Sequence, residues 1–205
     1  MGVDYLHNLM AEATAAGRYR DYGCDDIELA HLARIAAAPE IAFIAEIGFN
    51  YGLSSYTFLD ANPSSLICSF DLAEFAYTAP AKQHIDDVFA GRHTLVQGNS
   101  IHTVPAFSRL NPGLAFDLIF IDGGHTYETA RSDLINMRSL ATRNTIVVMD
   151  DITPWKPCGI GPTRAWLEAR RAGMIIHDEL FKEGQPTEKI EPPGNRSWAV
   201  GRYSL

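Results

Sequence analysis

Residues 41–54 read IAFIAEIGFNYGLS, an apolar run that passes straight into Glu46-x-Gly48-x-x-x-Gly52-x-Ser54. The run is short, unbroken and bounded by glycine, which suits a strand buried on both faces of a parallel sheet. Glycines at 48 and 52 permit a tight turn and let a ligand approach the backbone where a Cβ would clash. A helix opening near Gly52–Ser54 would point unpaired backbone N–H groups at whatever occupies that turn. Strand, glycine turn and helix in this order predict a nucleotide-cofactor site. The same turn can also serve plain packing, so the cofactor must be read from the second strand and the composition of the loop.

A second apolar run, Leu66-Ile67-Cys68-Ser69-Phe70, ends in Asp71, twenty-three residues after Gly48. An acid at the tip of the second strand of a doubly wound sheet can accept hydrogen bonds from both hydroxyls of a ribose. NAD and S-adenosylmethionine both carry such a ribose. The first loop separates them, because dinucleotide sites use G-x-G-x-x-G to seat a pyrophosphate. Gly48-Phe49-Asn50-Tyr51-Gly52 lacks that tight glycine pair. A bulky, polar loop suits an amino-acid moiety better than two phosphates.

The order of elements predicts an α/β, doubly wound, Rossmann-like fold. Asp25 followed by Glu28 resembles an N-cap with its box acid and opens a helix running to about Ala38. Strands are expected near 41–47, 66–70, 93–97, 116–121 and 145–149. Helices are expected from Ser54, Pro80, Ser100 and Thr126. Tyr127, Ala130, Leu134, Met137 and Ala141 form one apolar stripe at helical spacing, which places Tyr127 in the core. Pro162 is read as the start of a last helix that Gly173 ends. Residues 175–181 and 197–203 come next as two strands joined by a polar, Pro-rich loop, 183–195. The whole chain, 1–205, reads as one domain, with 1–40 as a helical segment covering the site.

Three further blocks carry the chemistry: Gln97-Gly98-Asn99-Ser100, Ile121-Asp122-Gly123-Gly124-His125-Thr126-Tyr127, and Val147-Val148-Met149-Asp150-Asp151. Together with Glu46–Ser54 and Phe70-Asp71-Leu72, they resemble the class I S-adenosylmethionine-dependent methyltransferases over roughly residues 40–203. The I-D-G-x-H-x-Y block and the later paired acids resemble the metal-dependent small-molecule O-methyltransferases, both catechol-type and antibiotic-tailoring. The resemblance implies a seven-stranded sheet of order 3-2-1-4-5-7-6 with an antiparallel edge strand. It implies cofactor contacts at Glu46, Gly48, Asn50, Tyr51, Gly52, Ser54, Asp71, Leu72, Asn99, Ser100, Asp122, Gly123 and His125. Leu72 would lie beside the adenine and Asn99-Ser100 would read its edge.

Asp122, Asp150 and Asp151 end two strands expected to be neighbours, so their carboxylates can face one crevice. Three acids without a cation repel one another. A hard divalent ion, Mg²⁺ or Mn²⁺, removes that cost and keeps water positions open for a substrate. His125 occupies the position at which catechol-type relatives carry lysine. An imidazole titrates near neutral pH and can take a hydroxyl proton, or it can orient Asp122. Asp122 and His125 are thus the candidate catalytic pair. His84, His93, His102 and His177 have no comparable setting and read as surface residues.

Composition bounds the partners. A net charge of −8 argues against a nucleic-acid or anionic-membrane surface, which would need a basic face. Cys24, Cys68 and Cys158 are odd in number and lack metal-ligand spacing, so they read as reduced thiols of a cytoplasmic protein. The expected activity is methyl transfer from S-adenosylmethionine to a hydroxyl of a small molecule, with Thr153–Gly161, Trp155 and the 183–195 loop around the acceptor. A homodimer stays open. The alternatives are a metal-independent N- or C-methyltransferase, a non-catalytic S-adenosylmethionine-binding protein and, least favoured, a nicotinamide oxidoreductase.

Overall fold

Alternation along the central strands decides how the layers form. In β4 (Phe116–Ile121), Leu118 and Phe120 pack into one core while Ile119 and Ile121 pack into a second. In β1 (Phe43–Ile47), Ile44 faces the first core, and Ala45 and Ile47 face the other. Strands apolar on both sides must be covered on both sides, which βαβ crossovers accomplish. The computed structural model describes residues 2–17 and 23–205 and, within them, not the side chains of His177 and Asp178.

Before the sheet come α1 (Asp4–Ala15) and α2 (Asp26–Ala36). The Asp25 carboxylate caps α2 by accepting from the Ile27 and Glu28 amides at 3.1 and 2.9 Å. After β1 the chain runs through α3 (Leu53–Ala61), β2 (Leu66–Asp71), α4 (Thr78–Val88), β3 (His93–Gln97) and α5 (Ser100–Leu110) to β4, and α6 (Tyr127–Met137) follows it. The chain closes with β5 (Ala141–Met149), α7 (Pro157–Arg171), β6 (Ile175–Lys182), β7 (Gln185–Thr187) and β8 (Ser197–Tyr203). The sheet order is β3-β2-β1-β4-β5-β8-β6-β7, parallel from β3 to β5 and antiparallel beyond.

The expected order therefore holds for all seven expected strands, with the chain's last strand, β8, between β5 and β6. The sheet has eight strands, not seven. The extra one is β7, three residues within the loop read as irregular, which pairs with the end of β6. Pro162 does not open the last helix. Pro157 does, at its first turn, and Pro162 lies inside. Ala141 belongs to β5, not to the helical stripe, and Tyr127 is half-buried at the surface, its hydroxyl donating to Glu168 under the Arg164 guanidinium. His102 is exposed as expected, but His84 and His93 are buried. His84 stacks on Tyr5 of α1 at 4.5 Å, and His93 lies beneath the first glycine turn. The His177 side chain lies outside the described residues. Among the described residues, no helix is long and apolar enough to cross a membrane.

Candidate active site

The carboxyl ends of β1, β2, β3 and β4 line one cavity of about 320 Å³. Backbone hydrogen bonds continue past each strand into its loop and hold the loops in register. Gly48 N donates to Phe70 O at 2.9 Å, Gly98 N to Asp71 O at 2.8 Å and Asp122 N to Ile47 O at 2.9 Å. Gly48 has φ +96°, and a Cβ there would stand 1.9 Å from the Asp122 carbonyl oxygen. Only glycine lets these two loops meet.

Asp71 shapes the first loop. Its Oδ2 accepts from the Phe49 and Asn50 amides at 2.8 and 2.9 Å, and its Oδ1 accepts from Ala73 at 2.6 Å. These bonds hold Asn50 in the left-handed region, at φ +53°. A carboxylate offers about four acceptor positions, so three internal bonds leave room for roughly one more donor. Glu74, lining the same cavity, carries no motif that would single it out in the sequence. Its carboxylate is exposed.

Of the residues expected to touch a cofactor, Gly48, Asn50, Asp71, Leu72, Asn99, Ser100, Asp122, Gly123 and His125 line this cavity. Glu46, Tyr51, Gly52 and Ser54 are not among its lining residues. Glu46 is wholly buried beneath the turn and accepts from Ser54, from Ser55 at 2.5 Å and from Ser69 at 2.6 Å. His93 Nε2 meets Ser69 at 2.9 Å in the same network. Burial pushes the Glu46 carboxyl up, and the three hydroxyls pull it part of the way back. Burial pushes His93 down to about 3, so the ring is neutral. These residues fasten β1, β2 and α3 under the loop. They support the cavity from behind.

Asp133, on α6, lies below the loop at Gly123, where a Cβ would be 3.4 Å from Asp133 Oδ2. No well-formed hydrogen bond reaches either of its carboxyl oxygens. Burial raises its pKa to about 6, although the nearby Ser100 hydroxyl acts in the opposite direction. The folded value lies above the unfolded one, so stability is fully present at low pH and is lost as pH rises from about 4 to 6. Asp133→Asn is therefore expected to stabilise the protein by about 2–3 kcal/mol above pH 6 and to converge with the wild type near pH 4. Thermal unfolding of both proteins across that range checks this. Parallel curves would show that Asp133 ionises on folding as readily as it does in water.

A second cavity, of about 690 Å³, opens beside the first and is lined by Gly23, Phe75, Asp122, His125, Asp151, Lys156, Pro157, Cys158, Asn195 and Arg196. Phe75, Asp122 and His125 line both cavities. The 153–161 segment does border the second, through Lys156, Pro157 and Cys158. Trp155 is not one of its lining residues and instead donates from Nε1 to Gly194 O at 3.0 Å. The N-terminal part of α7 presses against the His125 loop, where a Cβ on Gly161 would stand 2.3 Å from His125 O.

The three aspartates expected to share a metal divide between two groups. Within each group the ligand atoms lie within 4.8 Å of one another: Cys24, Asp122 and Asp150 in one, Asp122, His125 and Asp151 in the other. Asp151 has φ +58° and receives His125 Nε2 on Oδ2 at 2.9 Å. Burial would raise the Asp151 carboxyl, but the hydrogen bond and charge of His125, aided by Arg196, outweigh it and hold it low. Asp150 is buried, and burial with the adjacent Asp151 charge pushes it up to about 6. Arg196 approaches Asp150 Oδ2 and Asp25 Oδ2, each at 3.8 Å.

Sequence spacing gave no hint of Cys24 and Glu28. Helix α2 brings Glu28 against Asp150 at 0 % exposure, with no well-formed hydrogen bond to either oxygen. The Cys24 Sγ lies 3.9 Å from Asp122 Oδ2, so the cysteine set aside for lack of spacing does border the acids. Tertiary packing assembles this cluster, and no local motif could reveal it.

The methyltransferase-domain family matches residues 45–152, just over half of the chain and the span from β1 to the paired acids. No curated protein matches the sequence. Among solved structures, an O-methyltransferase from Bacillus cereus in complex with SAH aligns at TM-score 0.76 with 14 % identity, covering 98 % of this chain and 91 % of that one. The O-methyltransferase TomG of Streptomyces achromogenes, involved in tomaymycin synthesis and solved with SAM, aligns at 0.73 with 17 % identity, covering 98 % and 89 %. CalS11, a TDP-rhamnose 3′-O-methyltransferase of calicheamicin biosynthesis, aligns at 0.65 with 22 % identity, covering 99 % and 93 %. At these identities the likeness establishes the shared fold from end to end, and with the family match over the cofactor loops and paired acids the chain belongs to the methyltransferase-domain family.

Proposed function

We propose that the protein transfers a methyl group from S-adenosylmethionine to a hydroxyl of a small molecule. The observation that carries this reading is the meeting of two cavities at Asp122 and His125. A cofactor seated on the Gly48 loop and Asp71 would present its methyl at that junction. An acceptor oxygen entering from the other cavity would lie behind it, as in-line transfer requires. The sulfonium supplies the electrophile, so the protein must align the oxygen and remove its proton.

His125 is the residue we assign to the proton. With Nε2–H on Asp151, the lone pair is on Nδ1, and ionised Asp151 stabilises the imidazolium that forms. Asp122 and Asp150 are the acids best placed to hold a divalent cation, and behind them lies the buried Glu28, neither of whose oxygens has a well-formed hydrogen bond. Such a cation would polarise the acceptor oxygen when bound. Arg196 favours a second reading, in which this guanidinium alone balances Asp150 and no metal is needed.

The test is to screen small hydroxylated compounds for S-adenosylhomocysteine release, with Mg²⁺ or Mn²⁺ and with excess chelator. Cation-dependent turnover on a hydroxyl is the expected result. Full turnover in chelator would establish the Arg196 reading instead. Methylation confined to amines or carbon acids would overturn the O-methyl assignment.

A further inference from the structure

The buried acids beside α2 include a soft donor. Cys24, immediately before that helix, lies among Asp122, Asp150 and Glu28, and Arg196 is the nearby cation among the described residues. Glu28, wholly buried beside these acids, has no well-formed hydrogen-bond partner on either oxygen, a cost that a group bound in the site would offset. We propose that Cys24, Asp122 and Asp150 form a divalent-cation site in which the Cys24 thiolate is a ligand. This donor set selects a borderline ion such as Zn²⁺ over Mg²⁺. The proposal rests on the cation reading of the proposed function and adds to it the ligand and the class of ion.

The spacing suits one ion. With Zn–S near 2.3 Å and Zn–O near 2.1 Å, a tetrahedral angle separates sulfur and oxygen by about 3.6 Å. Cys24 Sγ and Asp122 Oδ2 are 3.9 Å apart. Three protein ligands leave one position open, the pattern of catalytic rather than structural sites. Mg²⁺ prefers six oxygens and avoids sulfur, whereas thiolate favours Zn²⁺ and the spectroscopically visible Co²⁺. Without a cation the thiol stays protonated, because burial and the charges of Glu28, Asp122 and Asp150 push it well up. On coordination the S–H proton leaves to solvent and the sulfur lone pair fills the metal bond.

The experiment adds Co²⁺ to chelator-treated full-length protein and records absorption together with calorimetric affinity. A sulfur-to-cobalt charge-transfer band in the near ultraviolet is expected, abolished by Cys24→Ser and retained in Cys158→Ser. Co²⁺ affinity in Cys24→Ser should fall beyond the roughly 10–100-fold that loss of a mere outer-shell partner costs. Asp150→Asn should also weaken Co²⁺, and Mg²⁺ should compete poorly. Calorimetric Co²⁺ binding with no such band in the wild type, and equal binding by Cys24→Ser, would remove Cys24 as a ligand while the cation reading stands. No binding of Co²⁺, Zn²⁺, Mn²⁺ or Mg²⁺ to the wild type would overturn both. The band is read on the unaltered protein, so the test does not depend on the variants folding.

Discussion

His125→Ala is expected to lower kcat by about 10²–10⁴-fold, the usual worth of a positioned general base. S-adenosylhomocysteine affinity should change little, because Asp71 and the Gly48 loop hold most of that cavity. The wild-type rate should rise with pH through the histidine range, since only neutral imidazole can accept the acceptor's proton. That limb should vanish in the variant. Asp151→Asn provides a second measure, because it preserves the shape but removes the charge that stabilises the imidazolium after transfer. It should lower kcat by less than His125→Ala does. If His125 only orients acids around a cation, its removal should weaken the cation, and excess metal should restore the rate. An unchanged pH profile with such rescue would exclude the base role.

The fold was legible because its signals are local and repeated. Continuous apolar runs with glycine punctuation mark strands buried on both faces, and β1, β2, β3 and β4 fall where the runs do. Strand β7 was not legible, since Gln185–Thr187 carries no apolar pattern and pairs only because β6 runs long enough to meet it. Pro162 misled because a proline reads as a helix start, yet here Pro157 takes that place and the later ring is tolerated inside the helix. The residues lining the first cavity were largely readable, because strand ends fall at fixed places in a doubly wound sheet. The acid cluster was not. Asp150 and Asp151 are adjacent in sequence but separate, Asp151 to His125 and Asp150 toward Cys24 and Glu28. That division depends on the left-handed backbone at Asp151 and on where α2 docks, and sequence spacing encodes neither.

Asp71→Ala is expected to weaken S-adenosylmethionine by about 3 kcal/mol or more, roughly 150-fold, by two separable routes. The direct route is loss of the charged acceptor for a ribose hydroxyl, worth about 1.5–3 kcal/mol. The indirect route is release of the first loop, because the same carboxylate accepts from Phe49, Asn50 and Ala73. Without it, Asn50 has no reason to keep its left-handed conformation, and the loop must be reordered when the cofactor binds. Asp71→Asn separates the two routes. Its amide oxygen can still accept some of the backbone N–H groups, but it lacks the charge, so it should lose less affinity than Asp71→Ala. Calorimetry with S-adenosylmethionine and with adenosine measures both, and the ribose contribution should appear equally for the two ligands. Wild-type affinity in Asp71→Ala would take this residue out of the site. Equal losses in Asp71→Ala and Asp71→Asn would instead make charge the dominant factor and leave the loop a minor one.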